Sequence, residues 1–273
     1  MMYKTYEVDS SFRLVGDNTM QLPLVWQPIT DTDTEYWQSV HTRPPLDDSI
    51  HIWQFTHDQP KSVVDSLYPM LSVGEKERVQ RYYTPQLRAR GTVRRGILRY
   101  LLGNYLQREP NMLSFSYSEY NKPYLDTERI FFNLSHSEER VLIAICKQDI
   151  GVDIEAIKPL PDLMTVAKHH FSPAEQTALF SLSSAEQVGA FYRCWTRKES
   201  FIKADGRGLS VPLDAFDVTL KSYQPARVTR IDPRLSNMHR LKWHLHHIDI
   251  NEQFMGAIAY HGKQRPLRLF LLV

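Results

Sequence analysis

Gly151-Val152-Asp153-Ile154-Glu155 and, about 40 residues further on, Trp195-Thr196-Arg197-Lys198-Glu199-Ser200-Phe201-Ile202-Lys203 decide how this 273-residue chain reads. The first stretch alternates as a strand does. Residues two apart leave one face of a sheet, so Asp153 and Glu155 emerge together while Val152 and Ile154 enter apolar packing on the other side. Two like charges on an apolar-flanked strand are costly unless a cation lies between them. Oxygen ligands on a rigid strand suit Mg²⁺, which takes one or two carboxylates with waters and substrate phosphates; a solvated edge strand would show the same pattern. The second stretch reads as helix. Glu199 and Lys203 are four apart, share a face and could reach one ligand. Trp195 lies one turn before Glu199, and Val188, Phe191 and Ile202 supply a core stripe. Taken alone, Glu followed by Lys at that spacing is also the favoured surface ion pair, contributing only a few tenths of a kcal/mol.

Ile50 to Phe55 alternates as a first core strand. Ser72-Val73-Gly74-Glu75 has the spacing of a capping box, with a helix expected to about Tyr83 and a second from about Leu87 to Leu106. Phe131 to Leu134 and Val141 to Ile145 read as strands joined by a polar turn from Ser135 to Arg140. The second half repeats this order. Gly151 to Glu155 is a strand, Ser172-Pro173-Ala174-Glu175 is another capping box, and a long helix runs from about Ala185 to Ala204, ended by Asp205-Gly206. Ala215 to Leu220, Leu241 to Ile250 and Phe254 to Tyr260 read as strands. The expected fold is α+β: two similar α/β halves about a pseudo-twofold axis, residues 48–148 and 149–273, with the active site in the cleft between them. Residues 1–47 read as an extension, in which only Leu22 to Trp26 is suited to strand pairing.

Composition bounds the function. Hydrophobic residues make up 42% and charged residues 23%, and the net charge of +2 creates no global field toward nucleic acid or membrane. Cys146 and Cys194 form no C-x-x-C pair and read as buried thiols, and no apolar run suits a membrane span, so a cytoplasmic protein is expected. Seven arginines between Arg78 and Arg99, Arg90 among them, suggest phosphate contact in the absence of a nucleic-acid motif. Lys122-Pro123 in a loop could add a cation. Ser135 and His136, adjacent in a turn, suit hydrogen bonding to phosphate better than a catalytic dyad. His244, His246 and His247 lack further ligands nearby in sequence and do not read as a zinc site. Phe171, Leu179, Phe180 and Leu182 are placed either to expose an apolar docking patch or to pack as helix core.

Together these stretches resemble the paired signature G-[IV]-D-[IV]-E and W-x-x-K-E-[SA]-x-x-K of the 4'-phosphopantetheinyl transferases. Phe132-Asn133-Leu134-Ser135-His136-Ser137 resembles the family's F-N-[IL]-S-H-S segment, and Asn121-Lys122-Pro123 its G-K-P loop. The length and the doubled order resemble the larger, surfactin-synthetase-activating type. The resemblance runs from roughly Ile50 to Tyr260. It implies transfer of the phosphopantetheine arm of coenzyme A to a serine of an apo acyl or peptidyl carrier protein, with release of adenosine 3',5'-bisphosphate by a monomer. It further implies Mg²⁺ or Mn²⁺ on Asp153, Glu155 and Glu199, with Glu199 and Lys203 as catalytic residues. Coenzyme A contacts would come from Arg78, Arg90, Lys122, Pro123, Ser135, His136, Asp153 and Lys203. The chain departs from the family pattern at Asn121, where glycine is usual, and at Glu75, where a coenzyme-binding lysine often stands. A metal-dependent pyrophosphate hydrolase and a non-catalytic coenzyme A-binding module would share many of these residues.

Overall fold

The computed structural model describes residues 46–272, apart from residue 127, and the backbone of Gln38–Ser39. The expected strand at Leu22 to Trp26 and nearly all of the expected extension 1–47 lie outside the described residues. The first half opens with β1 (Ile50–Thr56), continues through α1 (Lys61–Leu67), α2 (Val73–Gln80) and α3 (Pro85–Leu106), and closes with the hairpin β2 (Phe131–Ser137) and β3 (Arg140–Cys146). The second half repeats that order with β4 (Ile150–Ala156), α4 (Leu163–His170), α5 (Pro173–Phe180), α6 (Ser184–Asp205) and the hairpin β5 (Trp243–Asn251) and β6 (Phe254–His261). A short ribbon follows the long helix each time, pairing Ser116–Tyr117 with Pro123–Tyr124 and Phe216–Val218 with Val228–Ile231. A last strand, β7 (Leu267–Leu271), crosses back to lie parallel to β1.

The duplication extends to buried chemistry. α2 and α5 each begin with a complete capping box, Ser72 with Glu75 and Ser172 with Glu175. Each box glutamate then holds a buried cation from the long helix: Arg99 Nε lies 2.5 Å from Glu75, and Lys198 Nζ lies 2.7 Å from Glu175. Arg99 also donates to the carbonyls of Pro110 and Leu113, and Lys198 to those of Leu213 and Phe216. A charge taken out of water must be paired and hydrogen-bonded. The Lys198–Glu175 node meets that requirement, and the Arg99–Glu75 node meets it apart from Glu75 Oε1, which is buried without a hydrogen-bond partner; each pins its long helix to the loop that follows.

One sheet has the order β7-β1-β3-β2, with Gln38–Ser39 on its outer edge, and the other β5-β6-β4. Their inner faces share a core in which Ile50, Ile52, Leu142 and Ala144 meet Val152, Ile154, Ile248 and Ile258. The outer face of the first sheet packs Phe55 and Ile143 on Val93, Ile97 and Leu101 of α3. That of the second places Leu245 and Ala259 in the cluster of Phe191, Cys194 and Phe201 on α6. The layers run helix, sheet, sheet, helix, which is why β3 is apolar on both faces.

Three expectations change. Ser135 and His136 lie in β2, not in a turn, because the reversal is confined to Glu138-Glu139, where Glu138 adopts φ 49°. The expected strand at Ala215 to Leu220 shortens to Phe216–Val218 after a turn of 3-10 helix. Phe171 and Leu179 are fully buried and Phe180 and Leu182 are partly buried against the same core, so that segment packs as helix core rather than as an exposed patch.

Candidate active site

The odd-numbered residues of β4 face α6, and each does something different. Gly151 admits the helix: a Cβ there would stand 2.0 Å from the Ser200 carbonyl and 2.3 Å from the Ala204 nitrogen. With the helix that close, Asp153 and Glu155 come beside Glu199 and Lys203. Lys203 Nζ lies 2.5 Å from Asp153 Oδ1 and donates to Ser135 Oγ at 3.0 Å. Ser135 Oγ donates to the same Asp153 oxygen at 2.8 Å, and Ser137 Oγ donates to Glu155 Oε2 at 2.9 Å. The backbone amides of Val152 and Ala156 donate to Asn133 Oδ1 and Ser137 Oγ, at 2.9 and 3.0 Å. Alternate side chains of β2 thus stitch the two halves together. Asn133 and Ser137 had no role in the sequence reading; their period-2 spacing with Ser135 was the available signal.

The electrostatics are strained in one sense. Burial raises the Asp153 carboxyl above its usual range against the opposing pull of Lys203. Burial, then the Asp153 charge, raises Glu155. Glu199 is pushed up to about 7 by burial and by the charges of Asp153 and Glu155, with Lys203 opposing. Asp153 Oδ2 is buried without a hydrogen-bond partner. A cluster in which the Asp153 charge raises both neighbouring glutamates and one of its own oxygens is orphaned forms a donor set suited to a hard divalent cation. As the side chains stand, no three His, Cys, Asp or Glu groups among the described residues converge at metal-ligand distance; the Lys203 ammonium meets Asp153 instead.

The expected coenzyme contacts fall into three places. Lys122 bridges the halves, donating to the carbonyls of Ile150 and Ala204 at 3.3 and 3.2 Å. With Pro123, Phe131, Asp149, Gly206 and Arg207 it lines a cavity of about 460 Å³. Asn121 before it holds φ 64°, the left-handed conformation that glycine or asparagine takes readily. Arg78 lies over the Tyr117 ring, 5.8 Å from its centroid, on the ribbon that carries Pro123. Arg90 forms a two-pronged pair with Asp58, and Arg94 meets His57 at 3.0 Å. His136, on the opposite face of β2 from Ser135, turns toward this group, its ring 5.8 Å from His57. Arg99 leaves the expected arginine cluster altogether, being buried on Glu75. The same pair explains why a glutamate stands at position 75.

Residues 149–259 match the family model of the 4'-phosphopantetheinyl transferase superfamily. The chain is 38% identical to the 4'-phosphopantetheinyl transferase HetI of Nostoc sp. over 195 residues, 68% of this chain and 82% of that protein. It is 37% identical to the 4'-phosphopantetheinyl transferase Sfp of Bacillus subtilis over 151 residues, 55% of this chain and 66% of that one. This chain belongs to the 4'-phosphopantetheinyl transferase family. A solved structure described as a Chronobacterium ammoniagenes ACPS-CoA complex aligns with 43% of this chain and 98% of its own, at 16% identity and a TM-score of 0.34.

In this transferase the signature lysine at position 198 faces away from the acidic cluster. It is fully buried on Glu175, so the paired motif combines a structural cation with the cleft residues Glu199 and Lys203. No helix among the described residues of the transferase is long and apolar enough to cross a membrane.

Proposed function

We propose that this chain transfers the 4'-phosphopantetheine moiety of coenzyme A to a serine of an apo acyl or peptidyl carrier protein, a holo-acyl-carrier-protein synthase activity. The observation that carries it is the meeting of Asp153 and Glu155 from β4 with Glu199 and Lys203 from α6, in a chain of this family. Residues 48–148 supply the coenzyme A contacts Arg78, Arg90, Lys122, Pro123, Ser135 and His136, and residues 149–273 supply the acids and Lys203. Asp153, Glu155 and Glu199 would hold Mg²⁺ or Mn²⁺, which supplies charge neutralisation at the diphosphate when bound.

The carrier serine Oγ forms a new bond to the phosphorus that bears pantetheine. The bond from that phosphorus to the bridging oxygen breaks, and the oxygen leaves with adenosine 3',5'-bisphosphate. Serine is a weak nucleophile, so its proton must go to a base, and Glu199 accepts it. Lys203, freed from Asp153, donates hydrogen bonds to phosphate oxygens as charge develops on the leaving group. Ser135 holds the Asp153 carboxylate in place. Catalysis on this scheme is positioning and electrostatics, as phosphoryl-type transfer generally requires.

Intact-mass analysis of apo carrier proteins incubated with the chain, coenzyme A and Mg²⁺ tests the reading. One phosphopantetheinyl increment on a serine, dependent on carrier, is expected. Coenzyme A cleaved without a carrier, or no increment on any fatty-acid, polyketide or peptide carrier, would overturn it.

A further inference from the structure

α6 carries a second pair of charges on the side turned away from Glu199 and Lys203. Arg193 and Arg197 are four apart and lie six and two positions before Glu199, about 240° and 200° around the helix from it. Arg197 is 2% exposed. Its Nη1 donates to the carbonyl and hydroxyl of Thr219, at 2.5 and 3.0 Å, while its Nε is buried without a hydrogen-bond partner. Arg193 donates to the Leu220 carbonyl at 2.9 Å. Burial lowers the pKa of Arg193, and burial with the Arg193 charge brings Arg197 down to about 10. Among the described residues no carboxylate forms a salt bridge with either one.

These two arginines line a cavity of about 890 Å³ between α6, the loop after Phe216–Val218 and the edge strand β5. Arg227 and Lys242, both exposed, stand at the same cavity, again without a carboxylate partner among the described residues. The one acidic side chain in the lining is Asp249, which sits 3.1 Å from His247 Nε2. Four fixed cations therefore face one carboxylate, and two of the cations are partly or wholly withdrawn from water. A buried cation without a counter-charge is costly. A guanidinium pair offers the forked donors that phosphate and carboxylate groups accept. The volume lies in the range of small-ligand sites.

We propose that this cavity is a second, non-catalytic site for a small multivalent oxyanion, phosphate- or carboxylate-bearing, held between Arg193, Arg197, Arg227 and Lys242. The site stands independently of the transfer reaction, because it shares no residue with the acidic cleft. Equilibrium dialysis of the full chain against inorganic pyrophosphate and, separately, citrate tests it. The comparison set is the unaltered chain, Lys203→Gln to weaken phosphate binding in the acidic cleft, Arg193→Gln, and the rim double variant Arg227→Gln/Lys242→Gln.

At least one probe should bind the unaltered chain and Lys203→Gln alike, and bind the rim double variant and Arg193→Gln about tenfold or more weakly. Preference for pyrophosphate assigns the ligand as a phosphate, and preference for citrate as a polycarboxylate. The rim residues are exposed, so that variant keeps the test valid if Arg193→Gln does not fold. Equal binding by the rim variant and the unaltered chain, or binding lost only in Lys203→Gln, would overturn the site, as would failure of both probes to bind.

Discussion

At the residue scale, Asp153 has two oxygens in unlike settings. Oδ1 receives Ser135 and Lys203, and Oδ2 is buried with nothing to accept from. Glu199 stands in the same field, pushed up to about 7. Replacing Glu199 by Gln keeps the shape and removes the base, so transfer should fall about 10²–10⁴-fold with circular dichroism and melting temperature little changed. Loss of activity through unfolding instead would make Glu199 a structural residue. The acidic pattern is legible in the sequence because strand alternation alone puts Asp153 and Glu155 on one face. The partner on Asp153 was not legible. Lys203 reads equally well as a surface ion-pair partner of Glu199, and only the close approach of α6 to β4 takes it across to the aspartate.

At the element scale, that approach depends on Gly151. A methyl group there would collide with the α6 backbone rather than with a flexible side chain. Gly151→Ala should cost at least about 1–3 kcal/mol in urea unfolding and sharply reduce transfer, by prising Glu199 and Lys203 away from Asp153. A variant as stable and active as the unaltered chain would show that the helix does not rest where described. The two buried charge nodes make a paired prediction. Arg99→Ala and Lys198→Ala each leave a buried glutamate without its cation, and each should destabilise the fold by about 3–5 kcal/mol. The capping boxes of α2 and α5 could be read from Ser-x-x-Glu, and the two 22-residue helices from the apolar face of Val93, Ile97 and Leu101 in α3 and from Asp205-Gly206 at the end of α6. That their glutamates also hold Arg99 and Lys198 could not, since pairings across the fold leave no local periodicity. In the sequence Arg99 accordingly reads with the phosphate-facing arginines.

At the scale of the whole molecule, two sheets share one apolar interface, and the duplication was visible as a repeated order of elements. The crossing strand β7 was missed because Leu267-Arg268-Leu269-Phe270-Leu271 has no counterpart in the first half and pairs with a strand more than 200 residues earlier. His51 and His57 lie under this architecture. Both are buried, and their pKa is depressed to about 4, by burial in each case and for His57 also by Arg94 and Arg90. The fold therefore prefers neutral rings. Their contribution to stability is complete above the ordinary value of 6.5 and is lost as pH falls toward about 4. The melting temperature should drop across that window, and the drop should be shallower for His57→Gln. An unchanged profile in that variant would remove His57 from the linkage.

The acidic cleft itself is tested most directly by electron paramagnetic resonance of Mn²⁺ titrated into the chain with coenzyme A present. One bound ion is expected in the unaltered chain, with binding lost or severely weakened in Asp153→Asn and in Glu199→Gln. Equal Mn²⁺ occupancy in all three proteins would contradict the assignment of these carboxylates as a shared metal site.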